Sequence, residues 1–374
     1  MCYNKRVVGC VHPLQKFSKI KETDNMINLL DRMSQPQQPS KSFEDYSILF
    51  YSKPKTGTST LIHELYGDKV FFLFSEDRYK HLTGVYLQKV NSWEDFLMCV
   101  AQLKNQQLKD KFKYIAIDTL DSLLKMCEKY TLQHFDIEAL GEVPKGADYV
   151  YLRNEFNSKI MMISEMGYTP IYACHEDTEL IKVPASECIG VDTSNMKAKY
   201  AKGDKAKETP IIYEYERKRY NIKDKNIQSI LNNVDNIFHI DLQENKATGE
   251  QIRVVNTRTS MYHVAGATPK FIPAVIPMGA ESIRKAFQEA LDKEFGEAPV
   301  DESKVECKVE TRPYEQVYEE CVNLCRAMVD QGKQVELAKI IESHLGVGAK
   351  IATHASPEKV SKLELIIIDL KEIL

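Results

Sequence analysis

One stretch of ten residues constrains the fold of this chain more than any other. Residues 51–60 read YSKPKTGTST, and they directly continue the apolar run YSILFY of residues 46–51. The pattern approximates the loop G-x-x-x-x-G-K-[ST], in which a buried strand turns through a phosphate-binding loop into a helix. In that register Gly57 and Ser59 match the pattern. Ser52 stands in place of the first glycine and Thr58 in place of the lysine. The stretch therefore predicts a strand, a loop and a helix around an altered phosphate site.

The loop predicts contacts with a nucleotide, expected to be ATP with Mg²⁺. Backbone N–H groups at a helix N-terminus point at phosphate oxygens, and the hydroxyl of Ser59 would bind Mg²⁺. Thr58 offers a backbone N–H but no positive charge, which Lys53 or Lys55 could partly replace. The alternative is a chance strand, turn and helix. The predicted nucleotide-binding residues are Ser52, Lys53, Pro54, Lys55, Thr56, Gly57, Thr58, Ser59 and Thr60.

Three further polar residues follow apolar runs. Asp118 directly follows YIAI, His175 directly follows TPIYAC, and Glu76 follows KVFFLF after one intervening residue. Because ligands bind at the carboxyl ends of parallel strands, Asp118 is predicted to hold Mg²⁺ together with Ser59. Glu76 would orient or deprotonate the attacking water, and His175 would sense the γ-phosphate. Each residue alone also fits an ordinary turn or strand end, but their joint occurrence in this order is much less expected by chance.

The apolar patterns predict an α/β fold. Short apolar runs alternate with helical spacing, which favours right-handed βαβ units around a central, mostly parallel sheet. Two later runs, 236–242 and 251–257, predict paired strands. The predicted strands are 46–51, 69–74, 114–117 and 169–174, and the predicted helices are 60–66, 92–108, 120–135, 149–166, 227–234 and 282–295.

Composition and punctuation predict four segments. We expect a tail and linker over residues 1–42, a nucleotide-binding domain over 43–296, a linker over 297–313 and a small helical domain over 314–374. The polar region from Glu176 to Lys225 breaks the βαβ rhythm.

Charge and cysteine usage narrow the class of protein. The net charge of -4 gives no global field for nucleic acid, so any such contact needs a local basic patch. The nine cysteines are scattered, odd in number and contain no C-x-x-C pair, which favours reduced thiols over a zinc site or a disulfide framework. No apolar run reaches membrane-spanning length and no signal peptide is evident, so we expect an intracellular protein with no membrane partner.

Taken together, these motifs resemble those of phage-encoded RecA-fold P-loop ATPases of the AAA type, some of which act in single-strand annealing and recombination. The resemblance covers roughly residues 46–291. Its most specific parts are the strings YSKPKTGTSTL and YIAIDTLDSLLKMC and the strand end at Cys174–His175. It implies a RecA-like core, ATP and Mg²⁺ as cofactors, single-stranded DNA as a partner and assembly into a ring or filament. It gives Ser59 and Asp118 a magnesium role and Glu76 and His175 catalytic roles.

Two departures from the family pattern remove positive charge. One is the loop itself, at Ser52 and Thr58, and the other is Ala267, where relatives tend to carry arginine after the glycine. An ATPase weakened by Thr58 is therefore one hypothesis. A pseudo-ATPase that serves as a DNA-binding or scaffold module is the alternative, and a structural phage protein that retained the fold is a third.

A lysine-rich segment over residues 196–207 is the candidate DNA contact. RecA-like proteins, as the resemblance implies, bind DNA through loops beyond the strand ends. Lysines would contact phosphates and a tyrosine would stack on a base. A solvated loop with no partner is the alternative reading. The candidate residues are Lys197, Lys199, Tyr200, Lys202, Lys205 and Lys207.

Overall fold

A computed structural model describes residues 40–77, 79–80, 82–188, 190, 192–200, 210–244, 249–296 and 312–374, with only the backbone of Glu372. The chain divides into two compact units, residues 39–300 and residues 1–38 with 301–374. Most of the predicted N-terminal tail and of the predicted linker over 297–313 lies outside the described residues.

The unit of residues 39–300 alternates strands with helices. Its strands are β1 (Ile48–Ser52), β2 (Val70–Phe74), β3 (Tyr86–Lys89), β4 (Tyr114–Asp118), β5 (Thr169–Pro184), β6 (Lys197–Tyr200), β7 (Pro210–Tyr220), β8 (Asn236–Glu244), β9 (Gln251–Asn256) and β10 (Val275–Pro277). Its helices are α1 (Thr58–Tyr66), α2 (Trp93–Gln102), α3 (Gln106–Lys111), α4 (Leu120–Phe135), α5 (Ala147–Glu165), α6 (Gln228–Asn233) and α7 (Ala280–Phe295).

The main sheet has the strand order β10-β9-β8-β1-β5-β4-β2-β3. Every pairing from β8 to β3 is parallel. The two pairings at the other end, β8 with β9 and β9 with β10, are antiparallel. The predicted α/β fold with a central, mostly parallel sheet is therefore confirmed, and so is the predicted pairing of β8 with β9.

Strand β1 is fully buried and separates two hydrophobic cores. Ile48 and Phe50 pack on one face with apolar residues of α1 and α7. Leu49 and Tyr51 pack on the other face with residues of α2, α4 and α5. Side chains alternate across a strand, so a strand buried on both faces reads as an unbroken apolar run. The loop that follows β1 thus leaves the sheet from its most buried strand.

The helix predicted over residues 92–108 is interrupted. Helix α2 ends near Leu103, and α3 begins only after Asn105. The side chain of Asn105 accepts a hydrogen bond from the backbone N–H of Gln107 at 2.9 Å. Asparagine competes in this way for backbone groups and favours the start of a new helix over the interior of a long one.

The region after His175 is more regular than its sequence indicates. Strand β5 runs on to Pro184 and pairs with β7, which also pairs with β6. We call β6, β7 and residues 176–184 of β5 the arm. Arg217 and Arg219 both bind Glu179 across the strands, at 3.1 and 3.2 Å. Such pairs stabilise a sheet without an apolar pattern, which explains why this region breaks the βαβ pattern in the sequence.

The other unit is helical where it is described. Helices α8 (Tyr314–Asp330), α9 (Gln334–Leu345), α10 (Ile351–His354) and α11 (Val360–Ile373) enclose a separate apolar core. Arg312 donates to Glu320 and Glu364, which ties the start of α8 to α11. The predicted C-terminal helices are present. Among the described residues, no helix combines the length and apolar character needed to cross a bilayer.

Truncation of one buried side chain on β1 tests this packing. Phe50 is wholly buried, so Phe50→Ala is expected to lower the free energy of unfolding of its unit by about 3–5 kcal/mol. Met98→Ala, at a side chain that is 57% exposed, is the control and should change it by less than about 0.5 kcal/mol. Trp93 is the chain's single tryptophan and is buried in the same unit, so its fluorescence during urea titration reports this unfolding. Equal losses in both variants would contradict the proposed core.

Candidate functional site

The loop between β1 and α1 has the backbone form of an anion-binding site. Gly57 precedes the helix with φ of +98°, and Lys55 also has a positive φ of 69°. Among the described residues, no side chain caps the N-terminus of α1. Alternating right- and left-handed conformations point successive N–H groups into one concavity, and the helix dipole adds partial positive charge. The loop therefore fits a phosphate group, with Gly57 at a position that a side chain would strain.

The two residues that depart from the phosphate-loop pattern contact each other. The hydroxyl oxygens of Ser52 and Thr58 lie 2.8 Å apart. The hydroxyl of Thr56 lies 2.7 Å from that of Ser52 and 2.8 Å from the carbonyl oxygen of Lys53. These contacts connect the start of the loop to its end through side chains of the loop itself. The side chain at the lysine position is consequently part of the loop scaffold.

Ser59 and Asp118 are joined directly. The Ser59 hydroxyl donates to Oδ2 of Asp118 at 2.5 Å. Burial raises the pKa of Asp118 to about 6, the Ser59 hydrogen bond opposes this rise, and the charge of Glu76 adds to it. A hydroxyl and a buried carboxylate are oxygen ligands of the kind that Mg²⁺ takes, and a dication would relieve the cost of ionising Asp118. These two residues therefore fit the predicted metal role.

Glu76 sits beside this pair and is held by the turn after β4. Its Oε1 accepts hydrogen bonds from Ser122 at 2.6 Å and from Thr119 at 3.3 Å. The backbone N–H of Ser75 bonds to the carbonyl oxygen of Asp118 at 2.8 Å, which fixes the end of β2 against β4. These bonds orient one carboxylate oxygen of Glu76 at the end of the parallel sheet.

His175 is positioned by a carboxylate that the sequence analysis did not assign. Its Nδ1 lies 2.9 Å from Oδ2 of Asp121 and 3.7 Å from Oε1 of Glu76. Asp121 also accepts the backbone N–H of His175 at 3.2 Å. Burial alone would raise the pKa of Asp121, but hydrogen bonding and charge from His175 lower it on balance. Asp121 thus selects the orientation of the ring, as histidine partners in catalytic sites do.

The sequence motifs did not identify Asp121, Thr119 and Ser122, because each of them only forms a hydrogen bond with another residue of the site. A local signal did exist, since Thr119 precedes α4 directly and the other two lie in its first turn, just after Asp118. Acidic and hydroxyl residues in a first helical turn usually read as helix-start signals, and that reading concealed their role here.

Three of the six predicted DNA residues lie on the arm. Lys197, Lys199 and Tyr200 belong to strand β6, so this part of the segment is a paired strand and not an irregular loop. Lys199 binds Glu214 at 2.6 Å, which already compensates one of the positive charges. Tyr200 is exposed. The other candidates, Lys202, Lys205 and Lys207, lie outside the described residues.

A buried polar network lies beside the last residues of β1. His239 has no exposed surface, stacks on the ring of Tyr51, and places Nε2 2.8 Å from a carboxylate oxygen of Glu176. Its Nδ1 lies 3.1 Å from the side-chain nitrogen of Asn256. The ligand atoms of Glu176, His239 and Asp241 lie within 4.8 Å of one another. Lys218 already binds that Asp241 carboxylate at 2.7 Å, so these groups satisfy each other beneath β1.

Comparisons with known proteins agree with this geometry. A family profile described as an AAA domain matches residues 44–268, well over half of the chain. The chain is also similar to the SPbeta prophage-derived uncharacterized protein YorG of Bacillus subtilis (strain 168). The identity is 25% over 352 residues, which cover 90% of this chain and 95% of that protein. The similarity therefore extends well beyond the residues that the family profile matches.

The pKa of Asp118 predicts a pH-dependent stability. The folded protein keeps the proton up to about pH 6, whereas the unfolded chain loses it near 3.8. The folded state binds more protons in that window, so stability falls as pH rises through it and stays lower above it. Asp118→Asn cannot ionise, so its free energy of unfolding should exceed that of the unmodified chain by about 2–3 kcal/mol at pH 8 and by under about 1 kcal/mol at pH 4.5.

The measurement is urea titration followed by Trp93 fluorescence, with a chelator present to remove Mg²⁺. Asp110→Asn, at an exposed carboxylate of α3, is the control and should show no comparable change with pH. A stabilisation by Asp118→Asn of equal size at both pH values would contradict the assigned cause.

Proposed function

The chain belongs to the AAA domain family, and from this premise we propose that it binds ATP with Mg²⁺ in the 52–60 loop, hydrolyses it slowly and acts on single-stranded DNA. One observation carries the proposal: the direct bond between Ser59 and Asp118, with Glu76 and His175 beside it. It joins the start of α1 to the end of β4, as a shared metal requires.

The roles of the residues follow from their contacts. Ser59 and Asp118 hold Mg²⁺, which neutralises charge on the phosphate oxygens when it is bound. Glu76, held by Ser122, accepts the proton of the attacking water. The water oxygen bonds to the γ-phosphorus while the bond from that phosphorus to the β-phosphate bridging oxygen breaks. His175, oriented by Asp121, binds the γ-phosphate and distinguishes ATP from ADP.

Support for a DNA substrate is of a different kind. The arm continues β5 beyond His175, and β7 pairs both with this part of β5 and with β6, which carries the lysines. A basic strand with an exposed tyrosine suits a flexible, stacked single strand better than a duplex. Similarity to a prophage-derived protein fits recombination of phage DNA, with assembly of several copies into a ring or filament.

A second candidate is a nucleotide-binding protein that does not hydrolyse ATP. The contact between Thr58 and Ser52 favours it, because that side chain has no positive charge for the transferring phosphate. A lost transition-state cation slows the reaction more than it weakens binding. The protein would then serve as a DNA-binding or scaffold module.

Two carboxylate variants separate binding from hydrolysis. Glu76→Gln should retain ATP affinity within about threefold and lower phosphate release by about 10²–10⁴, because only the proton acceptor is lost. Asp118→Ala should remove the Mg²⁺ dependence of binding, since one of two protein ligands is gone. Calorimetry with and without Mg²⁺, and phosphate release with and without single-stranded DNA, measure both effects.

The outcomes discriminate between the candidates. Phosphate release by the unmodified chain that is lost in Glu76→Gln supports the ATPase. Binding without release supports the second candidate. If the unmodified chain binds no ATP in the presence of Mg²⁺, both nucleotide functions are wrong.

The DNA role has its own test. Charge reversal of Lys197, Lys199 and Lys202 to glutamate should weaken binding to single-stranded DNA at least tenfold at low salt and flatten its salt dependence. Reversal of three exposed lysines elsewhere, Lys104, Lys109 and Lys129, gives the same net charge and is the control. Equal weakening by both sets would show a general charge effect and count against the arm.

A further inference from the structure

We propose that Arg253 supplies the positive charge that the phosphate loop lacks at Thr58. The inference rests on the proposed nucleotide site. The observation behind it is a close approach: Nη1 of Arg253 lies 3.6 Å from the position that a β-carbon would occupy on Gly57. The guanidinium therefore reaches the residue immediately before Thr58.

Strand pairing holds Arg253 in this place. Arg253 lies on β9, where it pairs with Leu242 of β8, the neighbour of β1. On its other side, the carbonyl oxygen of Arg253 accepts the backbone N–H of Met278 at 3.0 Å. The Met278 methyl group lies 3.5 Å from the same β-carbon position on Gly57. One side chain on β9 and one directly after β10 thus converge on the loop, and groups on strands are positioned more precisely than groups on loops.

The guanidinium of Arg253 makes no bond within the described part of its unit, unlike the guanidinium groups of the other arginines described there. Among the described residues of the unit 39–300, Arg253 is the arginine whose guanidinium has no hydrogen bond or ion pair with the protein. Its side chain is exposed beside the loop. The other described arginines of this unit bind carboxylates or carbonyl oxygens, namely Arg153, Arg217, Arg219, Arg258 and Arg284.

The chemistry of a guanidinium suits this task. It stays charged at any relevant pH and presents paired N–H donors that match two phosphate oxygens. A lysine at position 58 would deliver charge from the helix, whereas Arg253 delivers it from the sheet. Lys53 and Lys55 compete for the same role, but both are exposed residues of the loop itself and no strand fixes them.

The test compares single cations around the loop. Arg253→Ala should weaken binding of ATP with Mg²⁺ by about 10- to 100-fold, while Arg253→Lys should recover part of the loss. Arg153→Ala, on the distant helix α5, removes the same charge from the unit and should change the affinity less than threefold. Lys53→Ala and Lys55→Ala should also have smaller effects than Arg253→Ala. Trp93 fluorescence during urea titration checks that each variant is folded.

A second substitution makes the test specific for charge replacement. If Arg253 takes the place of the missing lysine, Thr58→Lys should rescue most of the affinity in the Arg253→Ala background and add less in the unmodified chain. Tripolyphosphate with Mg²⁺, which lacks a base and sugar, should lose affinity by the same factor in Arg253→Ala.

The outcomes keep the two claims apart. Unchanged affinity in Arg253→Ala, with ATP bound by the unmodified chain, overturns the role of Arg253 and leaves the nucleotide site standing. A loss that Lys53→Ala or Lys55→Ala reproduces in full also overturns it. No ATP binding by the unmodified chain overturns the proposed function and the role of Arg253 with it.

Discussion

The parallel pairing of β1 with β5 is the constraint on which the site depends. Its register places Ser52 opposite His175, and the adjoining register of β4 places Asp118 opposite Ala173. A shift of one residue would turn each of these side chains to the other face of the sheet. The buried aromatic and aliphatic residues of β1 prevent such a shift, because it would move each of these side chains from one hydrophobic core into the other. Packing in the interior therefore fixes the chemistry at the strand ends.

The same register concentrates negative charge. Asp118, Glu76 and Asp121 all lie at the ends of β2 and β4 or in the turn that follows, and the charges of Glu76 and Asp121 oppose the ionisation of Asp118. His175 satisfies Asp121, and Ser59 only partly satisfies Asp118. The arrangement is consequently poised to take a cation, which is the physical sense in which a metal fits here. Its specificity for a nucleotide would come from the loop, where backbone N–H groups favour the binding of anionic phosphate.

The sequence predicted what depends on local pattern. Buried strands read as apolar runs and their ends as polar residues, so the positions of Ser59, Asp118, Glu76 and His175 followed from spacing alone. The arm did not follow, because cross-strand ion pairs such as Arg217 with Glu179 leave no apolar period. The parallel core and the later pair of β8 with β9 were thus predictable, whereas the arm between them was not. Partners such as Asp121 were hidden for another reason, since a residue that orients a neighbour has no motif of its own.

Arg253 shows the limit of motif reading most clearly. A motif treats a phosphate site as consecutive residues, so a missing lysine at position 58 counts as a missing charge. In three dimensions β9 is only two strands from β1, and its exposed residues can reach the loop that β1 feeds. Moving the cation from the helix to the sheet separates two functions that a single loop normally combines. The backbone of residues 52–60 would shape the phosphate cradle, and the pairing of β8, β9 and β10 would set its charge. Any event that displaced β9 would then change the affinity for phosphate without altering the cradle itself.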